Sequence, residues 1–380
     1  MNRFTKPQTS LISLVILLLL IFRLLGLVSN YHLALGSSFN LPEAQTMYEH
    51  SQYNLGQAEF FGNINDDILY TYAGIRAAAG ADPSLINPET PYLIKYLYGF
   101  SVLIFGNAVI IQALFSLGLL VVTGYLAYLF TGNPLLSLLS ASLLTFDKVF
   151  IDQSFASFLD LPHALFIVST FIAFTLYSRQ TNPQQARRLL IITGALVGAV
   201  AATKFFATAL VLYLVFLLFL QKTLSNLLRL TTPALLVYLA SFLAFFYHHP
   251  NPLDFLPLHF NLLKLYKSYL PAYPQGEFLR IIFLGEWRTW WGSDPIIKVS
   301  AWTLIWPVTT ATSLLAPLLL ANKQRTQILP MFTFITLYLF TNLFHVIFPR
   351  YLLSILPLLI VVTIFILSQI TGKINKLLTK

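Results

Sequence analysis

The tripeptide Asn65-Asp66-Asp67 sets two carboxylates side by side, with Tyr70 one helical turn later. Adjacent carboxylates repel, which raises the proton affinity of one and leaves the other ionised. Such a pair can take a proton from an attacking hydroxyl or offer oxygen ligands to a divalent cation. The same residues also suit a solvated cap ahead of a helix over 68–79, because Asp is common there.

A second acidic group, Asp147, Asp152 and Asp160, surrounds a short turn between two apolar runs. Asp160 begins an apolar stretch, and a carboxylate at membrane depth is costly unless it faces a cavity or a partner. His163 follows three residues later on the same helix face, so a structural pair or a cap is the competing reading. Asp67 and Asp160 are the carboxylates that could hold Mg or Mn. Two cations also interrupt apolar sequence, Lys204 after Gly198-Ala-Val-Ala-Ala-Thr and Arg350 in Phe348-Pro-Arg-Tyr. Either could reach the interface merely to anchor its helix. Beside carboxylates they would instead suit a phosphate, Lys as a point charge and Arg as a directional fork.

The segment Leu284-Gly-Glu-Trp-Arg-Thr-Trp-Trp contains Trp287 and Trp290. Membrane-interface anchoring is the default role for Trp, and stacking on a sugar ring is the alternative. His248, His249 and His259 lack tight zinc-ligand spacing. No phosphate-binding glycine loop or Ser-x-x-Lys element is present, so a nucleotide-driven cytoplasmic reaction has little support.

These residues sit in a chain of 380 residues that is 57% apolar and 10% charged. Soluble domains carry about 25% charged residues, so the apolar surface calls for lipid. The net charge of +9 is spread singly or in short groups between apolar runs, which argues against nucleic acid as a partner. Cys is absent, which removes disulfides and thiolate chemistry.

Apolar runs predict about ten transmembrane helices, over 11–28, 107–130, 134–150, 155–177, 189–204, 205–220, 232–247, 299–321, 328–348 and 350–369. The expected fold is therefore an all-α polytopic membrane protein, with 1–380 forming a single membrane domain. The first run, with Arg3 and Lys6 before it, reads as an uncleaved helix. With the N-terminus cytoplasmic, the internal segments carry twelve basic residues and no acidic one, as the positive-inside rule favours. All fourteen carboxylates then fall toward the opposite face. Both termini are expected in the cytoplasm of a cell-membrane protein whose site faces outside. Two large external segments result, 29–106 with interfacial helices and 248–298. The first ends in Pro91-Tyr-Leu-Ile-Lys-Tyr-Leu-Tyr, whose aromatic and Lys content suits an interfacial helix.

Over most of 10–365 the chain resembles GT-C glycosyltransferases, especially the protein mannosyltransferase-like family. That family's first external loop opens with an acidic pair, here Asp66-Asp67. Its His-Pro-Pro-Leu-Gly-Lys-like stretch corresponds to Thr90-Pro91-Tyr92-Leu93-Ile94-Lys95, without the His, second Pro and Gly. The Asp-Ile-Pro-like element matches Asp160-Leu161-Pro162, and Gly198 to Lys204 resembles a Gly-to-Lys element with one residue fewer. Pro349-Arg350-Tyr351 with Pro357 resembles an Arg-Tyr-to-Pro element.

The resemblance implies sugar transfer from a polyprenyl-phosphate donor to a hydroxyl of a protein or lipid-linked glycan in the cell envelope. It implies catalytic roles for Asp66, Asp67 and Asp160, and donor-phosphate binding by Lys95, Lys204 and Arg350. Tyr70, His163, Trp287 and Trp290 would contact substrate. A lipid or glycan transporter is the alternative function class, expected to carry polar groups at the bilayer midplane with access from both sides.

Overall fold

The computed structural model describes residues 6–53, 62–204, 206–221, 223–269, 275–289, 296–344 and 347–378. Among them the chain is helical almost throughout, and each expected span has a helical counterpart. Four helices are long and apolar enough to cross a membrane: Ile12–Asn30, Val109–Thr131, Asp160–Arg179 and Pro183–Thr203. A bent pair, Pro134–Leu144 with Lys148–Ser154, makes up to five, and shorter apolar helices such as Phe206–Phe219 and Leu224–Ala240 accompany them. The expectation of about ten full crossings thus becomes a mixture of long and short apolar helices.

The bend of 73° in that pair has a local cause. The Asp147 side chain accepts a hydrogen bond from the backbone N–H of Phe150 and so caps the second helix. Its other oxygen accepts from Trp306 Nε1 at 2.5 Å, and the carboxyl is wholly buried. Arg23, the charge inside the first apolar run, donates to the carbonyl of Thr145 at 3.3 Å. The break leaves that carbonyl without a helical partner, and Arg23 satisfies it. Asp152 instead pairs with Lys148 at 2.6 Å on the surface. Two of the three acids around this turn therefore have structural partners.

The core lies around the C-terminal helix Leu356–Leu378, whose residues from Leu356 to Ile366 are buried on every side. A helix apolar all round belongs in a protein interior. The first helix is the opposite case: Phe22 is 77% exposed and Leu19 62%, an apolar surface suited to lipid.

Two helix crossings are close enough to require glycine. A Cβ on Gly74 of the Asp66–Ala78 helix would run into the backbone carbonyl of Lys95 in the Leu93–Phe105 helix. Gly99 faces Gly74 in the same crossing. Gly194 and Gly198 bring the Pro183–Thr203 helix against the carbonyls of Leu230 and Ala234. Gly198 thus has a packing role, since small residues allow apolar helices to approach closely.

The segments 29–106 and 248–298 meet at one end of the bundle. His249 Nε2 lies 2.8 Å from Asp82 Oδ2, and His248 Nε2 lies 2.8 Å from the carbonyl of Gly80. Burial alone would raise the Asp82 carboxyl, but hydrogen bonds from Ser84 and His249 outweigh it and hold the group below its ordinary value. One feature departs from the all-α expectation. Glu286–Arg288 pairs antiparallel with Ile296–Lys298, Glu286 opposite Lys298, and Trp287 anchors it by donating to the carbonyl of Ile347 at 3.0 Å.

Replacing Gly198 with Val forces side-chain atoms into the Ala234 backbone. Overpacking of this kind costs about 1–3 kcal/mol, so the melting temperature in detergent is expected to fall by several degrees. An unchanged melting temperature would show that the helices do not pack this closely.

Candidate functional site

Asp66 and Asp67 occupy the first turn of the Asp66–Ala78 helix, where the helix dipole favours negative charge. Asn65 before them gives no side-chain cap. They face different surroundings, because successive helical residues diverge by about 100°. Asp66 accepts a hydrogen bond from Arg350 Nη2. Asp67 forms no ion pair among the described residues and lines a cavity of about 220 Å³ with Thr71, Asn107 and Ser157. Burial raises the proton affinity of Asp67; backbone hydrogen bonds lower it in part, and the neighbouring Asp66 charge raises it further.

From Asp66 the charges continue as a chain. Arg350 stands in the 3-10 turn Pro349–Ser354, which a proline opens. Its Nε lies 3.4 Å from Asp160 Oδ2. Asp160 is the first residue of the Asp160–Arg179 helix and is 1% exposed. Its other oxygen accepts from Lys204 Nζ, at the end of the Pro183–Thr203 helix. Lys204 also sits 3.6 Å above the ring of Tyr351, and Arg350 lies 5.0 Å from the Phe158 ring and 4.8 Å from that of Phe348. The aromatic faces add cation–π attraction where water is scarce. The order Asp66–Arg350–Asp160–Lys204 alternates in sign and sums to zero.

This chain joins four residues from the acid and phosphate-binding expectations, Asp66, Asp160, Lys204 and Arg350. Lys95 stays outside it. Its ammonium is fully buried and donates to the carbonyls of Asn87 and Thr90 at 2.7 and 2.8 Å. It also lies 4.1 Å from the Tyr92 ring. Lys95 therefore holds the loop before its own helix, because a buried ammonium needs acceptors close by. Tyr70 is buried, with the Lys95 ammonium 5.8 Å from its ring.

Arg350 borders a cavity of about 320 Å³ with Gln153, Phe158, Trp287 and Lys298. Lys204 and His163 border another of about 200 Å³. His163 Nδ1 is 3.1 Å from Ser354 Oγ, and its Nε2 has no partner among the described residues. Trp287 lines the Arg350 cavity with its indole packed 5.4 Å from Phe348. Trp290 lies outside the described residues.

No group of three or more His, Asp and Glu side chains that could hold a metal ion occurs among the described residues. The oxygens of Asp160 face Lys204 and Arg350, and Asp67 turns to a separate cavity. Sequence reading missed Tyr351, Phe158 and Phe348 as partners of the cations, and Gln153 beside them. Only the Phe-Pro-Arg-Tyr order hinted at the first of these.

A family profile described as dolichyl-phosphate-mannose-protein mannosyltransferase matches residues 98–250, which include Asp160 and Lys204. Among solved structures, the apo crystal structure of ArnT from Cupriavidus metallidurans is similar in fold, with a TM-score of 0.53 and 16% identity. The match covers 82% of this chain and 57% of the ArnT chain, so the present protein spans just over half of that length. No curated protein matches the sequence.

Removing one partner from a buried ion pair costs about 3–5 kcal/mol, because a charge is left uncompensated. Asp160→Asn is therefore expected to lower the melting temperature sharply. Asp66→Asn, at the half-exposed end of the chain, should lower it far less. Equal small losses in the two variants would show that the chain is open to water.

Proposed function

We propose that this GT-C, mannosyltransferase-like membrane protein moves a sugar from a polyprenyl-phosphate donor to an acceptor hydroxyl at the extracytoplasmic face. The observation that carries the reading is the Asp66–Arg350–Asp160–Lys204 chain, four charges from four elements beside three cavities. A lipid-linked sugar brings its own leaving group to a face where nucleotide sugars are absent.

In this reading the donor phosphate binds Arg350 in competition with Asp66. The acceptor oxygen attacks the anomeric carbon, the bond from that carbon to the phosphate oxygen breaks, and its electron pair leaves with the phosphate. Arg350 and Lys204 offset the charge that develops there, an effect strongest where water is excluded. The acceptor proton passes to the Asp66-Asp67 pair, which presents one carboxylate to the ion chain and one to the cavity of about 220 Å³. A single displacement inverts the anomeric centre. The acceptor is a hydroxyl of a protein or lipid-linked glycan, and both termini lie in the cytoplasm. A transporter would instead need such a site to open to both sides of the membrane.

Loss of a general base lowers rate by about 10²–10⁴-fold. Asp66→Asn and Asp67→Asn are each expected to lower kcat for transfer from a labelled polyprenyl-phosphate sugar by at least about 100-fold. Full activity in both variants would refute their role. A base must be deprotonated to act, so activity falls as pH drops through its pKa. With Asp67 raised by burial, the acid limb of the wild-type pH–rate profile is expected above the ordinary value for an aspartate. Because the cations come from Arg350 and Lys204, EDTA is expected to leave transfer unchanged, and a loss restored by Mg or Mn would overturn that assignment.

A further inference from the structure

The helix Phe255–Tyr269 follows the 3-10 turn Pro252–Asp254 and has two unlike sides. On one side Phe255 packs against the rings of Phe242 and Phe245, at 5.0 and 5.9 Å. His259, one turn on, stands on that side with Nε2 2.6 Å from the hydroxyl of Tyr238. The other side is open. Leu253, Leu256, Phe260 and Leu263 are all exposed there, Leu253 by 66% and Phe260 by 61%. Steps of three, four and three residues align them in one stripe. Lys264 and Lys267, both exposed, continue the stripe toward the end of the helix.

Two observations say what covers this stripe. The first is continuity. Leu263 lines the Lys204 cavity together with Phe206, the first residue of the apolar helix Phe206–Phe219. Leu210, Leu214 and Leu218 of that helix are exposed, so the stripe runs on from a surface suited to lipid. The second is charge. Neither lysine forms an ion pair among the described residues. From His248 to Tyr269 the sequence holds one carboxylate, Asp254, which accepts from Asn251 at 3.3 Å. A two-fold contact between copies of the chain through this face would gather four cations and no partner for them. An anionic lipid surface supplies the missing charge, because basic residues close to it are attracted by the headgroups.

We infer that the Phe255–Tyr269 helix docks on the membrane surface, with its leucines and Phe260 against acyl chains and Lys264 and Lys267 on the phosphates of anionic phospholipids. A helix with one apolar stripe and basic residues lies in the interface plane. The flexible lysine stems let the ammonium groups reach the headgroups while the stripe stays in apolar surroundings. Because Leu263 belongs to the wall of the Lys204 cavity, the bound lipid also holds that wall in place. The inference needs a membrane protein and is independent of sugar transfer.

The chain has no cysteine, so Phe260→Cys gives one bimane label in the middle of the stripe of the full-length protein. In phosphatidylcholine nanodiscs the label meets spin-labelled phosphatidylglycerol or spin-labelled phosphatidylcholine at equal mole fraction. Both lipids are expected to quench it, the anionic one at least about twofold more strongly. With Lys264→Gln and Lys267→Gln added, the ratio is expected to fall to about one while quenching by phosphatidylcholine persists. Lys267→Gln alone should give an intermediate ratio, and the melting temperature should hold in both variants because the lysines are exposed. A label that neither lipid quenches overturns the inference, and energy transfer between differently labelled copies would then assign the face to a second chain. Equal quenching by the two lipids with both lysines present overturns the anionic preference. A preference for phosphatidylglycerol that survives the loss of both lysines overturns their role.

Discussion

Four charges held in alternating order constrain the rest of this molecule. Asp160 and Lys204 are nearly inaccessible to water, and neither could remain ionised there alone. Each carboxylate has a cation beside it and each cation a carboxylate, so the desolvation of one ion is met by the field of the next. The elements that carry these ions must therefore converge at one end of the bundle. The start of the Asp160–Arg179 helix, the end of the Pro183–Thr203 helix, the Pro349–Ser354 turn and the start of the Asp66–Ala78 helix do so.

That convergence depends on how closely backbones can approach. Gly194 and Gly198 set the Pro183–Thr203 helix against its neighbour and thereby fix where Lys204 emerges. Gly74 and Gly99 do the same for the helix that begins with the acid pair. Elsewhere the polar groups inside apolar sequence have been turned to structural use. Arg23 and Asp147 satisfy a broken helix, and Lys95 satisfies a loop. A polar residue in an apolar run thus marks either a site or a backbone defect, and composition does not separate the two. Geometry does, because a defect offers carbonyls or N–H groups and a site offers an opposite charge beside a cavity.

The three cavities divide the surroundings of the ion chain by chemistry. Asp67 opens to a mixed space, where hydroxyls, amides and the Glu43 carboxylate stand among apolar side chains such as Met47 and Phe155. Arg350 opens to an aromatic space, and Lys204 to one whose wall includes the exposed Phe206 and Leu263. An anionic, ring-bearing, lipid-linked donor and a neutral hydroxyl acceptor could approach from different sides without competing for the same groups. In the proposed reading, a phosphate that binds Arg350 competes with Asp66 for the guanidinium.

Sequence alone determined the all-α membrane architecture, because runs of apolar residues long enough to span lipid have few other stable forms. It also singled out Asp66, Asp67, Asp160, Lys204 and Arg350, since ionisable residues next to apolar runs are costly and therefore conspicuous. It could not separate Asp66 from Asp67, whose difference is an angle around a helix. Nor could it tell that Lys95 closes on Asn87 and Thr90, or that Gln153 is left unmatched beside Arg350. Those facts rest on contacts between residues distant in the chain, and only the packing of the helices decides them. The span from Asp66 to Arg350 is 284 residues, and no local pattern encodes a meeting of that length.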